Sequence, residues 1–381
     1  MLTRRNKCSV GQPQMSMSFR TSKCLPLRSS NSFSLRSSKS LSLRTGKSSE
    51  KEYESEFMMM MNGKILLEKL IASNNGKRNP IRNFTAEELQ AATNNYDPTK
   101  VIMKCLFYEL YKGSLQDRPI SVMKFEEKVL DADQYCFNCI AFASQMSHKN
   151  ILKFIGCCLE TQIPVLVFDS VAHATLDNQI HNPNQFHFEP LLLKHRVNIA
   201  MEIANAVAYL HVGFSRPIVS RDIKPSTILV HENNVAKLFD FTLSLSIPEG
   251  ETHVKDKVIG TFGFIAPEYM TTGYCNEKSD VYSFGALLLE LLTGKRISHS
   301  SCFENGEEYF LQELVEKYIE KNKFNEIVDP VIVGEDGLWP EKEQQLLIYT
   351  ELAFKCLSKS EEDRPTMVEV AKQIRQIYRS I

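Results

Sequence analysis

The spacing of apolar residues changes along the chain and separates a strand-rich part from a helix-rich part. Apolar residues first occur in short runs typical of strands, as in Ile120–Phe125 and Val165–Phe168. One helix, at roughly Asp131–Met146, interrupts these runs. Beyond residue 171 they recur every three or four positions, as in Leu191–His211, which is typical of amphipathic helices. The pattern predicts an α+β protein with a small β-rich lobe and a larger helical lobe.

Two helices are predicted before the first lobe. Residues 57–72 form an amphipathic pattern that carries Leu66 and Leu70 on one face. A second helix begins at Thr85, whose spacing to Glu88 fits a capping box. The predicted divisions are a Ser/Arg-rich tail (1–56), a helical extension (57–83), a first lobe (84–171) and a second lobe (172–381).

Charge is distributed unevenly along the 381 residues. Residues 1–49 hold ten Lys and Arg and no acidic residue, so the remaining chain carries a net charge of −11 although the total is −1. Low-complexity Ser/Arg-rich sequence cannot bury enough apolar surface to fold, so we expect a disordered basic tail. Three interpretations fit this tail. It is an organelle transit peptide, a phosphorylated basic arm, or extra sequence that results from a start site assigned upstream of the true one. The acidic body argues against nucleic-acid binding.

The apolar runs and the cysteines indicate the cellular compartment of the protein. No apolar run approaches the ~18–20 residues that span a bilayer. The ten cysteines do not have the spacing of a disulfide framework and indicate reduced thiols. We therefore expect a cytoplasmic protein without a transmembrane segment, held at the inner plasma membrane, if at all, through its partners.

Four short motifs with wide, ordered separations carry the chemistry. They are Val122-Met123-Lys124, Ser220-Arg221-Asp222, Asp240-Phe241-Thr242 and Ala266-Pro267-Glu268. Together they resemble the motif set of a protein kinase over roughly residues 84–381. The resemblance implies a two-lobed protein-kinase-like fold, in which the first lobe holds a sheet and the αC helix.

The resemblance assigns a role in phosphoryl transfer to each matched residue. Lys124 would pair with nucleotide phosphates, and Asp222 would accept the proton of the attacking hydroxyl. Lys224, typical of the serine/threonine branch, would neutralise the transferring phosphate. Asp240 would hold Mg²⁺, and Thr227 stands where a second metal ligand is expected.

Three further matches resemble structural residues of the large lobe. Glu268 and Arg364 resemble its buried ion pair, and Asp280 resembles the residue that anchors the catalytic loop. Removing one partner of a buried pair costs ~3–5 kcal/mol, so their presence indicates a requirement of the fold.

Several positions depart from the kinase pattern. Met103, Cys105 and Tyr108 stand in place of the three glycines whose backbone would approach the phosphates. Cys139 stands where αC should carry the Glu that pairs with the strand lysine, and Thr227 replaces an Asn. We therefore expect any binding of ATP and Mg²⁺ to be weak and not required for a scaffolding role.

Flanking segments narrow the resemblance. Residues 83–95, 153–160 and 260–273 resemble plant receptor-like kinases of the wall-associated branch. With the degenerate glycine loop, segments 67–72 and 79–82 look like the ZED-related kinase family. That family implies pseudokinase adaptors, which dock on the leucine-rich repeats of a coiled-coil NLR immune receptor and recruit other cytoplasmic kinases.

Three hypotheses follow from the residues and the resemblance. The first is a kinase-fold adaptor in plant innate immunity, and the second is a slow serine/threonine kinase. The third is a protein that binds ATP as a structural ligand without transferring phosphate. In the first case partners would contact the αC face and the activation segment, about residues 240–268. Hydroxyls there that could be modified are Thr242, Ser244, Ser246, Thr252 and Thr261.

Overall fold

A computed structural model gives the fold of most of the chain. The described residues are 47–74, 81–170, 174–182, 189–231, 234–297, 302–304, 307–334 and 337–381. The helices are α1 Lys47–Asn74, α2 Ala86–Thr93, α3 Ala132–Ala143, α4 Leu176–His181, α5 Leu193–Val212, α6 Pro267–Thr272, α7 Glu277–Thr293, α8 Leu311–Glu320, α9 Phe324–Ile327, α10 Pro330–Val333, α11 Pro340–Cys356 and α12 Met367–Ser380. Two 3₁₀ turns lie at Pro98–Lys100 and Pro225–Thr227.

The strands are mostly short outside the first lobe. They are β1 Arg82–Asn83, β2 Val101–Lys104, β3 Tyr108–Leu115, β4 Arg118–Phe125, β5 Phe154–Cys158, β6 Val165–Asp169, β7 Ala174–Thr175, β8 Ile218–Val219, β9 Ile228–His231, β10 Val235–Leu238, β11 Leu245–Ser246, β12 Val254–Lys255, β13 Tyr274–Cys275, β14 Cys302–Glu304 and β15 Glu307–Tyr309. The predicted order of a β-rich lobe followed by a helical lobe is confirmed.

The first lobe is a six-stranded sheet with the order β1-β5-β6-β4-β3-β2. Its strands pair antiparallel except for β1, which runs parallel to β5. Successive side chains of a strand point to opposite faces, so each face has its own core. On one face Leu110, Met123 and Leu166 are buried in the core that includes α3. On the other, Val122 belongs to a second core with Leu89 of α2.

Helix α1 extends further towards the N-terminus than its apolar pattern predicts. It begins at Lys47, so the predicted tail boundary at residue 56 is wrong, and residues 47–56 are helical. That stretch is rich in Lys and Glu, which favour helix without adding an apolar stripe. Leu66 and Leu70 are buried in the same core as α3, and the Asn62 amide donates to the carbonyls of Leu159 (2.9 Å) and Thr161 (2.8 Å). Residues 1–46 lie outside the described residues.

The second helix has the predicted cap. The Glu88 backbone N–H donates to Thr85 Oγ1 (3.1 Å), and the Thr85 N–H donates to Glu88 Oε2 (2.9 Å). This capping box satisfies two N–H groups that a helix start leaves unpaired. It fixes α2 on the outer face of the sheet, where Leu89 is fully buried.

The second lobe is built around α5 and α7. Almost every apolar side chain of α7 is buried, and α5 buries the predicted stripe through Val197, Ile203 and Leu210. The helix predicted at Leu191–His211 is present within two residues of the predicted ends. Among the residues that the structure describes, no helix is both long enough and apolar enough to cross a membrane.

Candidate functional site

The catalytic loop between β8 and the 3₁₀ turn at Pro225–Thr227 brings the predicted polar residues together. Lys224 Nζ lies 2.7 Å from Asp222 Oδ2 and donates to Thr261 Oγ1 at 2.6 Å. The Thr261 hydroxyl in turn donates to Asp222 Oδ1 at 2.9 Å. A base, a cation and a hydroxyl from the activation segment thus form a closed triangle in the cleft.

Burial dominates the electrostatics of Asp222. Its carboxyl group is removed from water, which raises its pKa, and the nearby Lys224 ammonium opposes that shift. The Asp240 carboxylate adds to the rise. A carboxylate whose pKa is raised is a stronger proton acceptor when it is ionised, which suits a base that takes a proton from a hydroxyl.

Asp280 holds this loop from below. Its carboxylate, fully buried at the start of α7, accepts hydrogen bonds from the Ser220 N–H (2.8 Å) and the Arg221 N–H (2.9 Å). It also lies 3.0 Å from His211 Nε2. The position matches the anchoring role that the sequence predicts.

The predicted ion pair of the large lobe is also formed. Arg364, only 1% exposed, donates from both terminal nitrogens to the Glu268 carboxylate, each at 2.7 Å. Its Nε donates to the Ser358 carbonyl. A bidentate pair of this kind joins the end of the activation segment to the loop before α12.

Arg221 ties the catalytic loop to the activation segment without an added phosphate. Its Nε donates to the Leu243 carbonyl (2.6 Å), and Nη1 donates to Asp256 Oδ2 (2.7 Å) and the Tyr269 hydroxyl (3.0 Å). The side chain is almost fully buried. The negative charge opposite this arginine is therefore a carboxylate of the chain itself.

The nucleotide side of the cleft is filled. The Tyr108 hydroxyl donates to Asp240 Oδ2 at 2.5 Å, and the Thr242 backbone N–H donates to Asp240 Oδ1 at 2.8 Å. Tyr108 is fully buried, and burial, followed by the Asp240 carboxylate, raises its pKa well above the ordinary value. The phenol therefore stays protonated and remains a donor. Both oxygens that would bind Mg²⁺ already have partners within the chain.

Thr227 does not supply a free metal ligand. Its hydroxyl donates to the Asp222 carbonyl at 2.8 Å and also contacts the Lys224 carbonyl at 3.0 Å. The Lys224 N–H donates back to the same hydroxyl at 3.3 Å. The side chain is buried and closes the turn of the catalytic loop.

Lys124 does not face the cleft, so the structure contradicts its predicted contact with nucleotide phosphates. It pairs with Glu109 across β3, and its ammonium lies 4.5 Å from the centre of the Tyr96 ring. Residues directly opposite in a sheet share a face, so Lys124 and Glu109 lie on the face that α2 covers. The strand forms where the sequence predicts it, but the alternation of side chains places Met123, and not Lys124, on the inner face.

Met123 occupies the inward position. It is fully buried opposite Leu110 and Leu166, in the core that also holds Tyr108 and Cys139. Cys139 is buried as well, and burial followed by the nearby Asp240 charge raises the pKa of its thiol. A buried lysine without a carboxylate partner would be costly. The chain has an apolar Met and a neutral thiol where kinases place a Lys–Glu pair, so the residues present do not fit ATP and Mg²⁺.

Two contacts of α3 were not predicted from the sequence. The Asn138 amide donates to the carbonyls of Thr242 (3.0 Å) and Ser244 (2.8 Å), which joins α3 to the start of the activation segment. The signal was present: Asn138 is the one amide in a run of apolar residues on this helix. Cys136 is a packed thiol whose Sγ lies 3.2 Å from the Pro164 carbonyl. Within the described parts of the chain, no group of three or more His, Cys, Asp or Glu side chains is arranged to hold a metal ion.

The predicted modification sites differ in accessibility. Thr242 and Ser244 are buried, so an enzyme could reach them only after the segment opens. Thr261 is engaged by Asp222 and Lys224. Ser246 is half-buried, and Thr252 is exposed. Of the five predicted hydroxyls, Thr252 is the one that this conformation presents to solvent.

Comparison with known proteins agrees with this geometry. Residues 111–375 match the model of the protein kinase domain family. The chain is similar to serine/threonine-protein kinase ZRK1 of Arabidopsis thaliana, with 36% identity over 84% of this chain and 92% of the relative. It is 39% identical to the non-functional pseudokinase ZED1 of that plant, over 84% of this chain and 95% of ZED1. Wall-associated receptor kinase 3 of the same species is 36% identical, but this chain spans 42% of that receptor. The chain therefore belongs to the protein kinase family, in the branch of the ZED-related and wall-associated kinases.

Proposed function

We propose that the chain is a pseudokinase adaptor, which acts through binding and not through phosphoryl transfer. The observation that carries the proposal is the hydrogen bond between the buried Tyr108 hydroxyl and Asp240. An incoming Mg²⁺ would have to displace a donor that is already desolvated and well placed. Kinase catalysis depends on a metal ion and a lysine that position the nucleotide phosphates. In this cleft the carboxylate that would hold the metal is already hydrogen-bonded, and the strand lysine does not face the cleft.

The setting that we propose for this adaptor is cytoplasmic innate immune signalling in a plant. The partners would be an NLR immune receptor, contacted through its leucine-rich repeats, and other cytoplasmic kinases. Support comes from the sequence resemblance and from the similarity to a protein named as a non-functional pseudokinase. The activation segment offers a surface, since Val258 and Phe262 are exposed apolar residues next to the Lys224 triangle. Helix α3, which contains Cys139 and corresponds to αC, packs in the same core as helix α1, so less of the αC face is left for partners.

Nucleotide binding provides the first test. A ligand that binds the native state raises the melting temperature, so we expect no shift for the full chain in millimolar ATP with Mg²⁺ or Mn²⁺. The variant Tyr108→Gly removes the side chain that fills the nucleotide side of the cleft, and it serves as the comparison. A clear concentration-dependent shift of the wild-type protein would contradict the proposal and favour ATP as a structural ligand.

The second candidate function is a slow serine/threonine kinase. The intact triangle of Asp222, Lys224 and Thr261 favours it, because those groups have the geometry of a catalytic loop. Transfer from labelled ATP, compared between the wild-type protein and Asp222→Asn, separates the two functions. Label that is present in the wild type and lost in the variant would establish transfer, and equal absence of label from both folded proteins supports the adaptor.

A further inference from the structure

A second concavity lies away from the cleft, at the end of the first-lobe sheet. It has a volume of about 640 Å³ and is lined by the last turn of α3, the loop that follows it, and the ends of β4 and β5. Its lining includes Arg118, His148, Lys149 and Lys153. We propose that this pocket binds a segment of a partner protein that carries a phosphoserine or phosphothreonine next to an apolar side chain.

The sheet brings the cationic side chains to one place. The Asp169 N–H, at the end of β6, donates to the carbonyl of Lys153, just before β5. Ile120 of β4 pairs with the same Asp169, which places Arg118 at that edge as well. Lys149 comes from the loop after α3, which lines the other side. Side chains that are distant in sequence therefore converge on one cavity.

The charge of the pocket is not balanced from within. None of the described residues that line it is acidic. Arg118 lies 3.6 Å from Asp169, and both side chains are exposed, so this pair is weak. Within the described chain, Lys149 and Lys153 have no ion-pair partner. Two unpaired ammonium groups match a phosphate monoester, which carries about −1.5 to −2 charges at pH 7.

His148 adds a neutral donor at the same rim. Its ring stacks on Tyr209 with centroids 5.2 Å apart, and the Asn150 N–H donates to its Nδ1 at 3.1 Å. Burial, followed by the charge of Lys149, lowers the pKa of His148, so the ring is neutral at pH 7. Because Nδ1 accepts a hydrogen bond, the proton resides on Nε2. A fixed N–H donor beside two lysines is a suitable arrangement for phosphate oxygens.

The apolar part of the lining selects among phosphate-bearing ligands. Met146 and Ile151 are buried, and Phe154 and Ile155 are half-buried. An inositol polyphosphate or a polyphosphate has no apolar group to place against them, whereas a peptide with an apolar residue beside its phosphate satisfies both parts. Burial of one such side chain contributes in proportion to the apolar area that it removes from water.

Fluorescence anisotropy with the full chain tests the proposal. The probe is a fluorescein-labelled nonapeptide library with a fixed central phosphoserine, compared with the same library carrying serine. We expect saturable binding of the phosphorylated library, weakened at least about tenfold by Lys149→Glu with Lys153→Glu, because charged hydrogen bonds are lost. The pair Lys149→Arg with Lys153→Arg should retain affinity. The matched control with the same charge change is Lys359→Glu with Lys372→Glu, both at exposed positions.

Three outcomes would overturn the proposal. Equal binding of the two libraries would show that phosphate is not recognised. Unchanged affinity of the Lys149→Glu, Lys153→Glu variant, at an unchanged melting temperature, would place the site elsewhere. Displacement of the library by inositol hexakisphosphate or ATP at lower concentration than by phosphopeptide would identify a small polyphosphate ligand. None of these results depends on whether the cleft transfers phosphate, so this test stands apart from the test of the proposed function.

Discussion

The two sides of the cleft depart from the kinase pattern to different extents. On the catalytic-loop side, Asp222, Lys224 and Thr261 keep a connected polar arrangement, held in place by Asp280. On the nucleotide side, Tyr108 and Met123 fill the space and Asp240 is bonded within the chain. The first side also fixes the activation segment and the large lobe, so its loss would damage the fold. The second side serves mainly the nucleotide, and apolar packing can replace it without structural loss.

The largest expected effect comes from restoring a lysine to the cleft. Met123→Lys places an ammonium group in a fully buried site without a partner, so we expect destabilisation of ~3–5 kcal/mol in urea unfolding. Adding Cys139→Glu should recover part of this loss, because it supplies the missing carboxylate. If the double variant is no more stable than the sum of the two single changes, the two positions do not face each other as we infer.

A smaller loss of stability is expected when Tyr108 is changed. Tyr108→Phe removes the hydroxyl and leaves Asp240 Oδ2 without its donor, which should cost ~1–3 kcal/mol in the same assay. In the background of Asp240→Asn the cost should shrink, because an amide oxygen tolerates a lost donor better than a carboxylate. A double-mutant cycle measures this coupling, and additive changes would contradict a direct interaction between the two side chains.

The contribution of Asp222 to the stability of the fold should decrease as the pH rises. Its pKa is raised in the folded state, so its stabilising contribution is complete below the unfolded value of about 3.9 and is lost as the pH rises through the folded value. Asp222→Asn should therefore gain stability relative to wild type as the pH increases above about 4. Urea unfolding at pH 4, 5, 6 and 7 measures this trend.

The control for that series is Asp280→Asn. This change weakens the acceptor of the Ser220 and Arg221 N–H groups and should destabilise the chain at pH 7. A variant of Asp222 that becomes less stable relative to wild type with rising pH would mean that Asp222 supports the fold as Asp280 does. The catalytic loop would then carry no residue kept at a cost to stability.

The smallest effect is expected at Lys124. Its ammonium contacts the Tyr96 ring on the outer face, so Lys124→Met should change the free energy of unfolding by less than about 1 kcal/mol. Nucleotide-dependent thermal shifts, if any occur in Tyr108→Gly, should be the same with and without this substitution. If the shift is lost in the double variant, Lys124 contacts the nucleotide, and our placement of this side chain outside the cleft is wrong.

Local spacing predicts one half of the site and fails for the other. Asp222 and Lys224 are two residues apart, and Asp280, Glu268 and Arg364 occur in recognisable short motifs, so their positions follow from the sequence. The face that Lys124 occupies depends on which side of β4 becomes the core with α3, and a shift of one residue reverses every side chain. The contact between Tyr108 and Asp240 spans 132 positions, and no local pattern encodes it.

The elements followed the same division. The continuous apolar stripe of α5 predicts both of its ends to within two residues. The apolar pattern places the start of helix α1 ten residues too late, because the first turns of this helix are charged and carry no stripe. Periodicity detects burial, and a helix that is formed by intrinsic propensity gives no such signal.

The contact between Arg221 and Asp256 bears on how a signal could pass through this chain. Where an arginine waits for a phosphate, addition of the phosphate orders the segment and removal releases it. Here the acidic group is part of the polypeptide, so the segment is ordered as soon as the chain folds. Arg221 therefore has a charged partner without an added phosphate. In the adaptor that we propose, a partner would meet this part of the activation segment already held in place by the chain itself.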